Sequence, residues 1–213
     1  MARSKTSNAW LAEHFNDEFV KRARKEGYRS RAVYKLQEID TRDRLFKPGM
    51  TVVDLGAAPG AWSQYVRERV GRAGQVIALD ILPMEALPDL VVLEGDFTEA
   101  DTLKALLNAL GGRPVDLVIS DMSPNISGVD SADKARAMYL AELAQDFAAQ
   151  VLKPNGALLM KLFQGAGFSE LYKAIQGKFQ RVVSRKPKAS RARSAEIYVL
   201  ATGFHGDRPA EHE

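Results

Sequence analysis

The sequence predicts an α/β fold with a mostly parallel seven-stranded sheet, one antiparallel strand and helices on both faces. Three observations predict it. From about residue 49 onward, short β-branched apolar runs alternate with longer helix-compatible stretches, the pattern of parallel strands joined by crossover helices. Gly71, Gly74, Gly111-Gly112, Pro114 and Pro154-Asn155-Gly156 fall between those runs, where turns need such residues. The last two apolar runs have no helix between them, so they pair as a hairpin and one of them is antiparallel.

Ala9 to Glu26 is helix-compatible, with Asn8 or Ser7 as N-cap. A second helix is predicted from about Ser30 to Arg42, with Ala32, Val33, Leu36 and Ile39 as its apolar stripe. Lys47-Pro48-Gly49 ends this preface. Strands are predicted at 51–55, 75–80, 90–94, 115–120, 156–161, 179–184 and 195–201. Helices are predicted at 61–70, 99–110, 131–152 and around 167–177. His205 to Glu213 is polar and contains proline, the character of a frayed tail. The expected organisation is a helical preface over 1–48, an α/β domain over 49–203 and a mobile tail over 204–213. A chain of 213 residues suits one such domain and not two.

Composition narrows the chemistry. There is no cysteine, which excludes disulfides, thiolate catalysis and Cys-ligated zinc. The histidines, His14, His205 and His212, are scattered, and no metal site is expected. The polar N-terminus leads into no apolar segment, and no run approaches membrane-spanning length. A cytoplasmic protein without a membrane partner is expected, and a monomer, since no coiled-coil heptad or long apolar surface is evident. The formal net charge is +3 but unevenly placed. Lys178, Arg181, Arg185, Lys186, Lys188, Arg191 and Arg193 form one block without acidic residues, and Lys21, Arg22, Arg24, Lys25, Arg29 and Arg31 another, relieved only by Glu26. Either block alone is equally a solvated face or a charged loop. Together, flanking the α/β domain, they point to a nucleic acid.

The most informative stretch is Val52-Val53-Asp54-Leu55-Gly56-Ala57-Ala58-Pro59-Gly60-Ala61-Trp62. A buried strand breaks at a small-residue loop and restarts as a helix, which lets a nucleotide-like ligand lie against the backbone. A dinucleotide pattern G-x-G-x-x-G needs glycine at 58, where Ala58 stands. The spacing of Gly56 and Gly60 suits an adenosine with a short charged tail, and S-adenosylmethionine is the commonest such ligand; an ordinary tight turn is the plain alternative. Asp80 ends the second strand and can accept from both ribose hydroxyls. Asp96 follows the third strand in Glu94-Gly95-Asp96-Phe97 and can accept from the adenine amino group. Asp121 ends the fourth. Singly, each is an ordinary loop-start residue; three in succession after a small-residue first loop point to a ligand. Trp62 is either a core aromatic or a wall of the pocket mouth, and the second reading places it against the methionine end.

Lys161 ends the strand Ala157-Leu158-Leu159-Met160, Lys35 borders the apolar stripe of the preface helix, and Glu196 opens the last strand. Each alone is an ordinary charge at an element boundary. Their contexts, however, are Ser30-Arg31-Ala32-Val33-Tyr34-Lys35-Leu36, Ser120-Asp121-Met122-Ser123-Pro124-Asn125, Met160-Lys161-Leu162-Phe163-Gln164-Gly165 and Arg193-Ser194-Ala195-Glu196. With the 54–60 loop, these resemble the bacterial FtsJ-like (heat-shock) ribosomal RNA large subunit ribose 2′-O-methyltransferase family over roughly residues 8 to 203. Ala61 and Ser123 depart from the glycine and alanine expected there, without removing a functional group. The resemblance implies a Rossmann-like S-adenosylmethionine-dependent methyltransferase fold with a catalytic tetrad Lys35, Asp121, Lys161 and Glu196. It implies Gly60, Trp62, Asp80, Asp96 and Asp121 around the cofactor. It also implies a cytoplasmic enzyme that methylates a uridine ribose of large-subunit ribosomal RNA on the assembled particle.

The residue types suit that chemistry. Methyl transfer from a sulfonium needs a positioned nucleophile and a group to take the hydroxyl proton, and lysine serves when partly desolvated or near other cations. Lys161 is then the base or the hydroxyl-orienting group, Asp121 aligns it, and Lys35 and Glu196 place the ribose. Arg29 and Arg31 are candidates for phosphate contact, and Tyr198 for base stacking or for packing within the sheet. Two other readings stay open. A base N-methyltransferase would share fold and ligand but usually carries a second proline and an aromatic residue where Pro124-Asn125 stand. A non-catalytic RNA-binding module would have no use for the tetrad.

Overall fold

A computed structural model of the chain describes residues 17–124, 127–190 and 194–206. Within them, seven strands form one sheet in the order β3-β2-β1-β4-β5-β7-β6. The strands are β1 (Thr51–Leu55), β2 (Gln75–Asp80), β3 (Val91–Glu94), β4 (Val115–Ser120), β5 (Leu152–Phe163), β6 (Phe179–Arg185) and β7 (Glu196–Phe204). β1 to β5 pair in parallel, and β7 is antiparallel to both neighbours. The predicted hairpin is present, with β7 inserted between β5 and β6. Because the chain winds outward from β1 to β3 and then returns to β4 on the other side of β1, the carboxyl ends of β1 and β4 flank a topological switch point, where ligands of such sheets bind.

Central strands covered on both faces read as unbroken apolar runs. On one face Val53, Leu55, Ile77, Val118 and Leu158 pack against α4 (Ala100–Leu110), α5 (Asp130–Val151) and α6 (Phe168–Gln176). On the other, Val52, Val76, Leu117, Ile119 and Leu159 pack against α2 (Val33–Asp43) and α3 (Ala61–Val70), with Ala23 of α1 (Glu18–Glu26) in the same cluster. The helical preface thus shares a core with the sheet.

Element boundaries depart from expectation where side chains intervene. Of the predicted helix from Ala9 to Glu26, the described part is α1, whose N-cap Asp17 has ψ 117° and accepts from the Phe19 N–H at 2.9 Å. Its proposed caps, Asn8 and Ser7, lie outside the described residues, as do His14, His212, Asn125, Arg191 and Arg193. α2 starts at Val33, after a turn in which the Ser30 hydroxyl accepts from the Ala32 N–H. β5 starts at Leu152 because Pro154-Asn155-Gly156 does not end a turn before it. Val115 pairs with Leu152 and Leu117 with Ala157, so the extra residues bulge out within the strand. β7 runs on to Phe204, which packs on Phe179 with ring centroids 5.2 Å apart, and the His205 N–H donates to Lys178 O. The expected tail therefore cannot begin at 204; residues 207–213 lie outside the described region.

Among the described residues, three contacts fasten the β6–β7 connection to the preface. Arg185 grips Asp43 through Nε–Oδ2 at 2.7 Å and Nη2–Oδ1 at 2.6 Å. The Lys188 N–H donates to Glu38 at 2.8 Å. Arg31 donates to Ala189 O and pairs with Asp17. The bidentate Arg185 bond holds the Asp43 carboxyl below the usual range, against burial, so this stabilisation is lost only as pH falls below that range. Asp43→Ala would strand a guanidinium that is 10% exposed. It is expected to cost about 3 kcal/mol, read as a lower urea midpoint at unchanged slope; a midpoint equal to wild type would mean the pair does not hold the preface down.

Candidate active site

The chain leaves β1 into a loop that must pass close to its neighbours. Gly56 has φ +76°, and a Cβ there would lie 2.8 Å from the Met122 backbone, so the β1 and β4 loops meet only because position 56 lacks a side chain. Gly56 and Ala57 N–H groups both donate to Leu79 O. The Ala58 N–H donates to Asp80 Oδ2 at 2.8 Å and the Leu82 N–H to Asp80 Oδ1 at 2.8 Å. Gly60, at φ +105°, starts α3. Beside this loop lies a cleft of about 300 Å³ whose walls include Gly56, Asp80, Asp96, Met122, Arg136 and Tyr139. Asp96 Oδ1 accepts from the Thr98 N–H and hydroxyl. Asp80 and Asp96 thus reach the cleft expected of them. Arg136 and Tyr139, in the first turns of α5, were not anticipated; only the side from which α5 approaches the strand ends could have indicated them.

Next to the cleft, four elements bring charged side chains together. Lys161 Nζ lies 3.0 Å from Asp121 Oδ1 and donates to Asp121 O at 2.6 Å; its side chain is 6% exposed. Lys35 Nζ lies 2.9 Å from Glu196 Oε1 and donates to the Tyr198 hydroxyl at 3.2 Å. That hydroxyl donates to Asp121 Oδ1 at 2.7 Å. One unbroken path therefore runs Glu196–Lys35–Tyr198–Asp121–Lys161. The register of β5 with β7 explains it: Lys161 pairs with Tyr198 and Phe163 with Glu196, so these side chains share a face. Asp121 follows β4, and Lys35 reaches in from α2.

Burial pushes the Asp121 carboxyl up, but Lys161, Lys35 and the Tyr198 hydroxyl outweigh it and hold it below the usual range. Glu196 behaves alike: burial raises it, and its bond to Lys35 brings it below normal. The Tyr198 phenol goes well above its ordinary value, through burial first and then the carboxylates of Asp121 and Glu196. Two carboxylates are thus kept charged by two amines, and the tyrosine stays a neutral donor.

Several sequence expectations need correction. Of the two readings of Tyr198, packing within the sheet holds and base stacking does not: it is fully buried, 5.7 Å centroid to centroid from Trp62, and is the internal link of the cluster. The two-residue period opposite Lys161 was the signal for this. Arg29 and Arg31 are not available phosphate contacts. Arg29 donates to Pro59 O, Glu85 O and Ala86 O, and Arg31 is committed to Asp17 and Ala189 O. Trp62 is 3% exposed and donates through Nε1 to Ala32 O at 2.8 Å, which favours its reading as a core aromatic. Neither it nor Gly60 is part of the cleft wall.

The matching family model, the FtsJ-like methyltransferase, covers residues 28–204. The chain is 59% identical over 203 residues to a protein of Hydrogenovibrio crunogenus named ribosomal RNA large subunit methyltransferase E, spanning 95% of this chain and 98% of that one. A protein of the same name from Pseudomonas aeruginosa is 56% identical over 207 residues, spanning 97% and 100%. Among solved structures, one described as a ribosomal RNA methyltransferase of Plasmodium falciparum superposes with a TM-score of 0.76 at 28% identity, covering 84% of this chain and 100% of that one.

A wholly buried acid stands apart from the cluster. Asp54, fully buried in β1, accepts from the Ser63 hydroxyl at 2.6 Å through Oδ2, while Oδ1 has no partner among the described residues. Burial pushes its carboxyl up to about 7, the Ser63 bond opposes this, and the charges of Asp121 and Asp80 add to the rise. An unfolded aspartate ionises near pH ~4. Between about pH 4 and 7 the folded chain therefore holds a proton that the unfolded chain has lost, and this group's contribution to stability falls as pH rises through that window. Asp54→Asn removes the titration. Its unfolding free energy relative to wild type is expected to rise by roughly 2–3 kcal/mol between about pH 5 and pH 8, followed by urea titration; a pH-independent difference would mean the acid is not neutral in the fold.

Proposed function

The chain belongs to the FtsJ-like methyltransferase family, and on that premise we propose that it transfers the methyl group of S-adenosylmethionine to the 2′-hydroxyl of a ribose, that of a uridine, in large-subunit ribosomal RNA on the assembled cytoplasmic subunit. The observation that carries this reading is the path Glu196–Lys35–Tyr198–Asp121–Lys161 beside the cleft. Two amines and two carboxylates converging on one point suit a weakly acidic hydroxyl, which has to be held in place and relieved of a proton. The relatives' names support large-subunit ribosomal RNA as the substrate.

The cleft fits the cofactor chemically. Asp80 and Asp96 are acceptors at successive strand ends, suited to ribose hydroxyls and to an adenine amino group. The Asp121 carboxylate, one residue before Met122 in the cleft wall, suits an ammonium. When bound, S-adenosylmethionine supplies a methyl group made electrophilic by its sulfonium. The remaining work falls to the chain. Lys161, in its uncharged amine form, would orient the ribose hydroxyl and accept its proton, the methyl group passing to that oxygen as its bond to sulfur breaks. Asp121 holds Lys161 in line, and Lys35, fixed by Glu196 and Tyr198, places the ribose. The preface faces the RNA. With Arg29 and Arg31 engaged elsewhere, phosphate contact falls to exposed Lys21, Lys25 and Lys188. RNA binding should therefore weaken steeply with salt.

The test is to incubate the protein with methyl-labelled S-adenosylmethionine and unmodified large subunits, then digest the RNA. Label in a nucleotide bearing 2′-O-methylribose is expected; label on a base, or none, overturns the proposal. Lys161→Ala is expected to lower kcat by about 10²- to 10⁴-fold while leaving cofactor affinity within a few-fold. Near-normal turnover in that variant would remove Lys161 from the reaction.

A further inference from the structure

The segment Ser123-Pro124 has a cavity on each side. One is the cleft already described, and the other, of about 270 Å³, opens next to the charged cluster. Its walls are mainly apolar, with Pro124, Ala137, Phe163 and Ala195 beside Asp133 and Lys134. Asp133 is engaged with the loop leading into α5, accepting from the Ser127 N–H and hydroxyl and from the Gly128 N–H. Among the described residues the aromatic ring in the wall is Phe163, half-buried at the end of β5. It is two residues beyond Lys161 on the same face, is paired with Glu196, and has its ring centroid 5.9 Å from Lys161 Nζ.

We propose that this second cavity seats the base of the target nucleotide, drawn out of its stack and laid on the Phe163 ring. The inference rests on the methyl-transfer reading above and deepens it. In any nucleotide the 2′-carbon is bonded to the 1′-carbon that carries the base. A 2′-oxygen held at Lys161 therefore brings its base within a few ångströms of that amine. The cleft on the cofactor side is reserved for the methyl donor, and Tyr198 is fully buried. Phe163 is the aromatic face left beside Lys161 among the described residues, and it opens into a cavity of nearly the cleft's volume. A base stacked in a helix cannot enter such a cavity, so the acceptor is an unstacked nucleotide. Stacking reads the π-face of a base rather than its edge, and the cavity tolerates more than one base for that reason.

The experiment compares wild type, Phe163→Leu and Phe163→Tyr, using unmodified large subunits and labelled S-adenosylmethionine, with cofactor affinity measured separately by calorimetry. Phe163→Leu, which keeps the apolar bulk but not the π-face, is expected to raise KM for subunits roughly tenfold or more, with cofactor affinity unchanged. Phe163→Tyr should stay within about twofold of wild type, since it keeps the stacking face. Two results overturn the inference: a Phe163→Leu enzyme with unchanged KM, or one in which cofactor affinity falls in parallel. A fall in kcat alone is the first of these, and it would make Phe163 a support for Lys161. If wild type places no label on ribose, it is the underlying methyl-transfer reading that has failed, and the two failures remain distinct.

Discussion

The site depends on mutual compensation among four charges, each on a side chain less than a fifth exposed. Burial by itself raises the Asp121 and Glu196 carboxyls, and only the adjoining Lys161 and Lys35 reverse the sign. Neither member of a pair would be tolerable without its partner at this depth, because an uncompensated ion in a poorly solvated site is far more costly than a matched one. The four groups arise on α2, the end of β4, the end of β5 and the start of β7. Tyr198 joins the two ion pairs through one hydroxyl, receiving from Lys35 and giving to Asp121. Docking the preface on the sheet and assembling the cluster are therefore one event. The contacts that fasten the β6–β7 connection to the preface act on the same event from outside the site. Arg185–Asp43 and Lys188–Glu38 hold the stretch that leads into Glu196.

What was legible in the sequence divides along physical lines. The parallel core was legible because strands buried on both faces must be apolar throughout, as Val52, Val53, Val118 and Ile119 are. The small-residue loop was legible because close approach to the Met122 backbone forbids a Cβ at position 56. The four charged residues were found through their local contexts, and the structure brings them together. Misreadings came where a side chain's partner is remote in sequence. Arg31 lies near Lys35 in the chain, yet its acceptors are Asp17 and Ala189 O. The indole of Trp62 turns toward Ala32 rather than the cleft. Nothing local distinguishes an arginine that will meet a phosphate from one that will meet a carbonyl across the fold. Pro154-Asn155-Gly156 misled for another reason: a bulge and a turn use the same residues, and only the partner strand tells them apart.

The segment Asp121–Pro124 shows how tightly the site is coupled to the sheet. The Asp121 N–H donates to Leu55 O, so the segment hangs directly from β1. Its first residue supplies a carboxylate to the cluster, its second meets the backbone of Gly56, and Ser123 and Pro124 form the partition between two cavities. Moving it by one residue would take the Asp121 carboxylate away from Lys161 and Met122 away from Gly56. Cleft, cluster and second cavity would then lose their common wall together. The requirement for glycine at 56 is thus also a requirement on the cluster, since a side chain there would push Met122 away and take Asp121 with it. A loop that reads as cofactor-binding in the sequence is, in the fold, equally a support for the proton-handling groups. A substitution in it cannot be assigned to cofactor binding until the Asp121–Lys161 contact has been seen to survive.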